Sequence, residues 1–163
     1  MNKLVGLDFA GGGPVHVSSG VASLAYSLYL GKRKEWKDTG KYPRFQPKNP
    51  VLNFIGSLLI YLPWLFFNSG TIASISTPRT LYILANTQIA AGCGTFTFTL
   101  MDYYLKGRKW SLQASAEELI VGLVFVTPAC GFLETWALMI GSIITAIVCR
   151  LTYDINEWIG VDD

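Results

Sequence analysis

Charge is missing from long stretches of this chain, and that constrains its fold more than any other feature. No residue between Asp8 and Lys32 is charged, nor any from Val51 to Ser76 or from Thr80 to Met101. A further apolar region, Leu119 to Cys149, is interrupted only by Glu134. A run of about 20 apolar residues matches the hydrocarbon thickness of a bilayer, where a helix satisfies its own backbone. Charged residues are 15% of the 163, against about 25% in soluble domains. The sequence therefore reads as an all-α polytopic membrane protein with about five transmembrane helices, in one domain over 1–163.

The helices are expected near 9–30, 51–75, 79–102, 114–132 and 135–153, with a basic loop over 31–50. Pro43, Pro47 and Pro50 forbid a long helix in that loop, and Pro63 bends the second span. Ala90-Ala91-Gly92-Cys93-Gly94 offers a small-residue face for close helix packing. The last two helices meet at a turn near Thr127-Pro128-Ala129-Cys130-Gly131. Each charge-free piece there is under about 20 residues, so a re-entrant hairpin is the alternative.

Lysine and arginine set the direction. The loop after the first helix carries Lys32, Arg33, Lys34, Lys37, Lys41, Arg44 and Lys48. The loop after the third carries Lys106, Arg108 and Lys109, and Arg150 lies in the tail. The intervening loops hold only Arg79. Positive loops stay in the cytoplasm, which puts the N-terminus outside and the C-terminus inside. Met1-Asn2-Lys3 leads into glycines rather than a leucine core, so no cleavable leader is expected.

Several chemistries are excluded. A net charge of +2 is too small to argue for nucleic acid. Cys93, Cys130 and Cys149 are widely spaced, and with one histidine they form no metal quartet. Gly11-Gly12-Gly13 lacks the lysine of a phosphate loop. No catalytic triad or pair of intramembrane aspartates is present, so no enzyme and no cofactor are expected. His16 remains. An ionisable side chain inside an apolar span is costly and by default functional; the alternative is an imidazole satisfied by a neighbour in a bundle. Asp8, just before it, suits the capping of exposed helix N–H groups.

Four patterns, taken in order, resemble the ammonium transporter family, which includes the methylammonium permeases and Rhesus relatives. They are Asp8-Phe9-Ala10-Gly11-Gly12 through Val15-His16 to Ser19-Gly20; Trp64-Leu65-Phe66-Phe67-Asn68-Ser69-Gly70; Ala85-Asn86-Thr87-Gln88 leading into Ala90-Ala91; and Gly122-Leu123-Val124 with Thr127-Pro128-Ala129-Cys130-Gly131-Phe132.

The resemblance implies a segment equivalent to spans five to nine of an eleven-span inverted-repeat fold. It further implies ammonium or methylammonium as substrate, an apolar pore in each subunit of a homotrimer, and the plasma membrane as location. His16 then stands for the first of two pore histidines, Phe67 for one ring of the outer gate, and Thr71 for the hydroxyl of the outer recruitment site. A neutral imidazole can accept a hydrogen bond from a nitrogen that an apolar pore would otherwise strip of partners. Asp8, Trp64, Asn68 and Thr127 are supporting residues, with Trp64 and Asn68 read as packing and helix–helix hydrogen bonding. Glu117 and Glu118 replace small residues of the family, at a helix end from which they could reach water. The second histidine, the other gate ring and the recruitment tryptophan belong to spans outside five to nine. Two functions are therefore expected to compete: a transporter segment, and a non-transporting fragment that associates with full-length subunits.

Overall fold

The computed structural model describes residues 6–40, 48–74 and 76–162, without the side chains of 113, 114 and 117. Lys41, Pro43, Arg44 and Pro47 of the basic loop lie outside the described residues. All regular structure among the described residues is helical.

The chain enters its first helix at Gly12 rather than at 9. Gly11 has φ +89°, a left-handed conformation that interrupts a helix and suits a residue without Cβ. Phe9 and Ala10 instead donate their N–H groups to the carbonyls of Pro128 (2.9 Å) and Thr127 (3.2 Å). Gly12–Val17 is a π-helical stretch that runs directly into α1 (Ser18–Leu30). Such wide turns cluster at functional sites. Inside the basic loop, α2 (Lys34–Thr39) is a single short helix. Its Trp36 is buried beneath the Lys32 ammonium, 4.0 Å from the ring centroid.

Caps explain the next two starts. Asn49 accepts the Leu52 N–H (3.1 Å) ahead of α3 (Pro50–Gly70). Thr77 does the same for Thr80 (3.3 Å) ahead of α4 (Pro78–Leu105). Proline in the first turn of each lacks an N–H that would have no helical partner anyway. α3 ends at Gly70, short of the expected 75, and Ala73 then turns the chain at φ 56°. α5 (Leu112–Val126) stops six residues before the expected 132, because the carbonyls of Thr127 and Pro128 face the Phe9–Ala10 strand of backbone instead. α6 (Thr135–Leu151) and the short α7 (Ile155–Ile159) complete the chain. α3 is the one described helix with the length and composition of a bilayer span, and α6 is a shorter apolar helix.

The core lies where α4, α5 and α6 meet. Ile83, Ala90, Val126, Cys130 and Leu138 are fully buried there. Glycines allow the close approach. A Cβ on Gly122 would sit 2.8 Å from Ala91 Cα, and one on Gly94 would sit 3.1 Å from Gly122 Cα. The Ser142 hydroxyl of α6 donates to the Ala90 carbonyl of α4 at 2.6 Å. Ala90, Ala91 and Gly94 of the small-residue stretch thus face the junction, while Gly92 faces open space. That division follows from 3.6 residues per turn.

Buried polar groups tie the bundle together. Asn86 of α4 donates to the Cys130 carbonyl (3.1 Å) and accepts from the Thr135 hydroxyl (2.8 Å). Asp102 of α4, 2% exposed, accepts Arg150 Nε of α6 at 3.0 Å and pairs with Lys106 Nζ at 3.0 Å. Glu118 corrects its sequence reading. Rather than reaching water, it is fully buried and accepts the Thr99 hydroxyl of α4 at 2.7 Å. Its helix presents that position to α4, and a hydroxyl there compensates part of the desolvation.

The opposite side is apolar and uncovered. α1 buries no side chain, and Tyr29 is 86% exposed. Along α3, Leu52, Leu59 and Phe66 are exposed as well. Exposed apolar side chains in such numbers on α1 and α3 fit lipid or further polypeptide rather than water.

Candidate functional site

His16, Trp64, Phe67 and Thr127 come together where the π-helical stretch crosses α3 and the end of α5. The His16 ring lies on the Trp64 indole, with centroids 4.8 Å apart and planes 23° from parallel. Phe67, one turn along α3, leans on both: 6.4 Å from the His16 centroid and 6.3 Å from that of Trp64. Trp64 does more than pack, since it forms one wall of the histidine's surroundings. Its Nε1–H donates to the Thr127 hydroxyl at 2.9 Å, and that hydroxyl donates to the Leu123 carbonyl at 2.8 Å. His16 Nε2 is excluded from solvent and has no hydrogen-bond partner among the described residues. A buried polar atom left open calls for an explanation.

Asp8 anchors the entry to this site. Its carboxylate accepts the N–H groups of Gly11 (2.9 Å), Gly12 (2.8 Å) and Gly13 (2.7 Å). These would otherwise be unpaired donors at the helix start. The Gly13 N–H contributes most to holding the Asp8 carboxyl below its ordinary 3.8; burial opposes it, and the Gly12 and Gly11 N–H groups assist. A carboxyl with a lowered folded pKa stabilises fully above its unfolded value and loses that contribution as pH falls through the folded one. Amide protection at Gly11–Gly13 should therefore drop as pH goes from about 5 to about 3, and Asp8→Asn should flatten that dependence. Protection in the native chain that ignores pH over this range would contradict the anchor.

The remaining candidates lie apart from the imidazole. Asn68, fully buried, turns toward α4 and donates to the Thr87 hydroxyl at 3.2 Å. Thr71 is exposed beyond the end of α3, and its hydroxyl donates back to the Phe67 carbonyl at 3.2 Å. Sequence reasoning assigned no role to Asn86 or Thr135, which together brace the turn carrying Thr127. The available signal was an amide inside an apolar helix, which requires partners when buried. The cysteines are free thiols in apolar surroundings, and no group of metal-ligating side chains occurs among the described residues.

Known proteins share this arrangement of helices. The Ammonium Transporter Family profile matches residues 1–163. Ammonium transporter 3 of Schizosaccharomyces pombe is 38% identical over 96% of this chain and 38% of its own length. Ammonium transporter MEP2 of Saccharomyces cerevisiae is 36% identical over 99% of this chain and 32% of its own. The crystal structure of Candida albicans Mep2 superposes with a TM-score of 0.87 at 39% identity, covering 98% of this chain and 35% of that one. Rh50 of Nitrosomonas europaea shares the fold alone, with a TM-score of 0.79 at 14% identity. The chain spans about a third of the length of the curated relatives it matches. Its fold is accordingly that of an all-α polytopic membrane protein. Sequence and structure agree across the whole chain, which belongs to the ammonium transporter family.

Proposed function

We propose that this chain supplies the His16 side of a conduit for ammonium, or its ammonia equivalent, across a membrane. The observation that carries this reading is the His16 Nε2, shielded from solvent beside Trp64 and Phe67 and without a hydrogen-bond partner among the described residues. An ammonium nitrogen entering an apolar passage loses its hydration, and a neutral imidazole nitrogen returns one hydrogen bond. In this reading Phe67 is a movable ring above the imidazole, Thr71 is the hydroxyl at the outer entrance, and Asp8 is a structural anchor. The basic loop lies in the cytoplasm and the N-terminus outside, in the plasma membrane, with the subunits in a homotrimer as the family resemblance implies. Methylammonium serves as a substitute substrate.

A second reading has its own support. α1 buries none of its side chains. A non-transporting association that lays this face against full-length ammonium transporter subunits fits that fact. Uptake of labelled methylammonium by cells without transporters of their own, expressing this chain alone, separates the two. Uptake that disappears with His16→Ala supports transport. Background uptake, together with co-purification of a full-length relative, supports association instead.

A further inference from the structure

We propose that Thr127 is a positioning residue for His16, acting through Trp64: its hydroxyl fixes the indole on which the imidazole lies. The inference rests on the reading that His16 faces the conduit, but it concerns how the ring is held. The chain of contacts is continuous. Leu123 O accepts the Thr127 hydroxyl at 2.8 Å, which aims the oxygen lone pairs away from α5. The Trp64 Nε1–H donates to that oxygen at 2.9 Å. The indole then stacks on His16 at 4.8 Å with a 23° tilt.

Without a partner at Nε1, the indole of Trp64 would leave a buried donor unsatisfied or turn to find another acceptor. Either response removes the flat surface under His16. Among the described residues the imidazole makes no hydrogen bond through Nε2, so stacking on the indole is what defines its plane on that side. The backbone reinforces the same registration. Ala10 N–H donates to Thr127 O and Phe9 N–H to Pro128 O, so the segment leading to His16 is fastened to the residue that fastens Trp64. Gly12 allows this closeness, since a Cβ there would lie 2.7 Å from the Pro128 ring. Asn86 holds the far side of the turn through the Cys130 carbonyl and Thr135. Residues 127–131 thus locate His16 by two routes, one through backbone and one through the indole.

The chain contains one histidine, so selective labelling of histidine yields a single imidazole signal. The full chain is labelled in lipid nanodiscs, and the ring-current shift of the His16 carbon-bound protons is read by NMR. Thr127→Val keeps the shape and deletes the hydroxyl; Thr127→Ser keeps the hydroxyl. Thr127→Val should lose at least half of the upfield shift, and Thr127→Ser should retain it. Trp64→Phe deletes the Nε1–H while leaving a ring. If Thr127 acts through the indole, adding Thr127→Val to Trp64→Phe changes the His16 signal no further. Unfolding midpoints measured alongside separate ring placement from general stability.

An unchanged shift in Thr127→Val would overturn the proposal. So would a second, additive change in the double variant, because Thr127 would then act on His16 by a path that bypasses Trp64. A shift lost equally in Thr127→Ser would overturn it too, since the hydroxyl would not be the operative group. None of these results depends on uptake, so the positioning role and the transport reading can fail separately.

Discussion

Replacing Asp102 with alanine is expected to destabilise the chain by about 3–5 kcal/mol, the range found when one partner of a buried ion pair is removed. Asp102 is 2% exposed and Arg150 8%. Their side chains meet at 3.0 Å across α4 and α6. The Arg150 guanidinium also lies 5.9 Å from the Phe98 ring and 5.6 Å from that of Tyr153, a setting with little water to replace the lost carboxylate. Lys106 also pairs with Asp102 but is half exposed, so Lys106→Ala should cost at most about 1 kcal/mol. Removing both buried charges is a different perturbation from removing one. Asp102→Leu combined with Arg150→Met should recover most of the stability, because well-packed apolar replacements of a buried pair are close to neutral. Equilibrium unfolding in detergent micelles reads all three. A cost for Asp102→Ala no larger than that for Lys106→Ala would show that the pair does not join α4 to α6.

This pair also shows where the sequence stopped being readable. Asp102 and Arg150 mark the ends of apolar runs, and in one dimension a charge at the end of a run looks like a loop residue exposed to water. Only the crossing of α4 and α6 brings the two together, across 48 positions of the chain. Glu118 misleads for the same reason: its burial depends on which face of α5 meets Thr99, and two adjacent glutamates carry no clear period. Local signals fared better. The small-residue stretch 90–94 reads as a packing face, and Ala90, Ala91 and Gly94 of it do face the junction; the Asn-Pro and Thr-Pro pairs at 49–50 and 77–78 carry a cap signal that the sequence reading left unused.

His16 was legible as an anomaly, because one ionisable ring in an apolar run is costly wherever it folds. Its setting was not. Trp64 and Thr127 are 63 residues apart, and no periodicity connects a residue on α3 with one past the end of α5. The π-helical stretch was hidden too. Gly11 to Gly13 and Pro14 are poor helix formers in water, yet the charge-free run reads as helical from 9, and nothing in it says which way the turn opens. That outcome depends on Asp8 collecting three N–H groups at once and on Gly12 lying against Pro128. The four motifs taken as a unit pointed to the family, which the profile match over residues 1–163 bears out, and periodicity alone could not have named it.

The second large expected effect is on transport. Because the chain corresponds to about a third of its relatives, the sharpest functional comparison completes the rest. Residues 1–163 are exchanged for the matching third of the Saccharomyces cerevisiae transporter, and the chimera is expressed in cells without ammonium transporters of their own. Labelled methylammonium uptake is then measured with and without His16→Ala, after confirming equal amounts in the membrane. If His16 Nε2 meets the passing nitrogen, the substitution removes one charge-assisted hydrogen bond worth about 1.5–3 kcal/mol and slows uptake by about 10- to 150-fold. Uptake by the chimera that is unchanged in the His16→Ala form would contradict the account, because the imidazole would then have no part in passage.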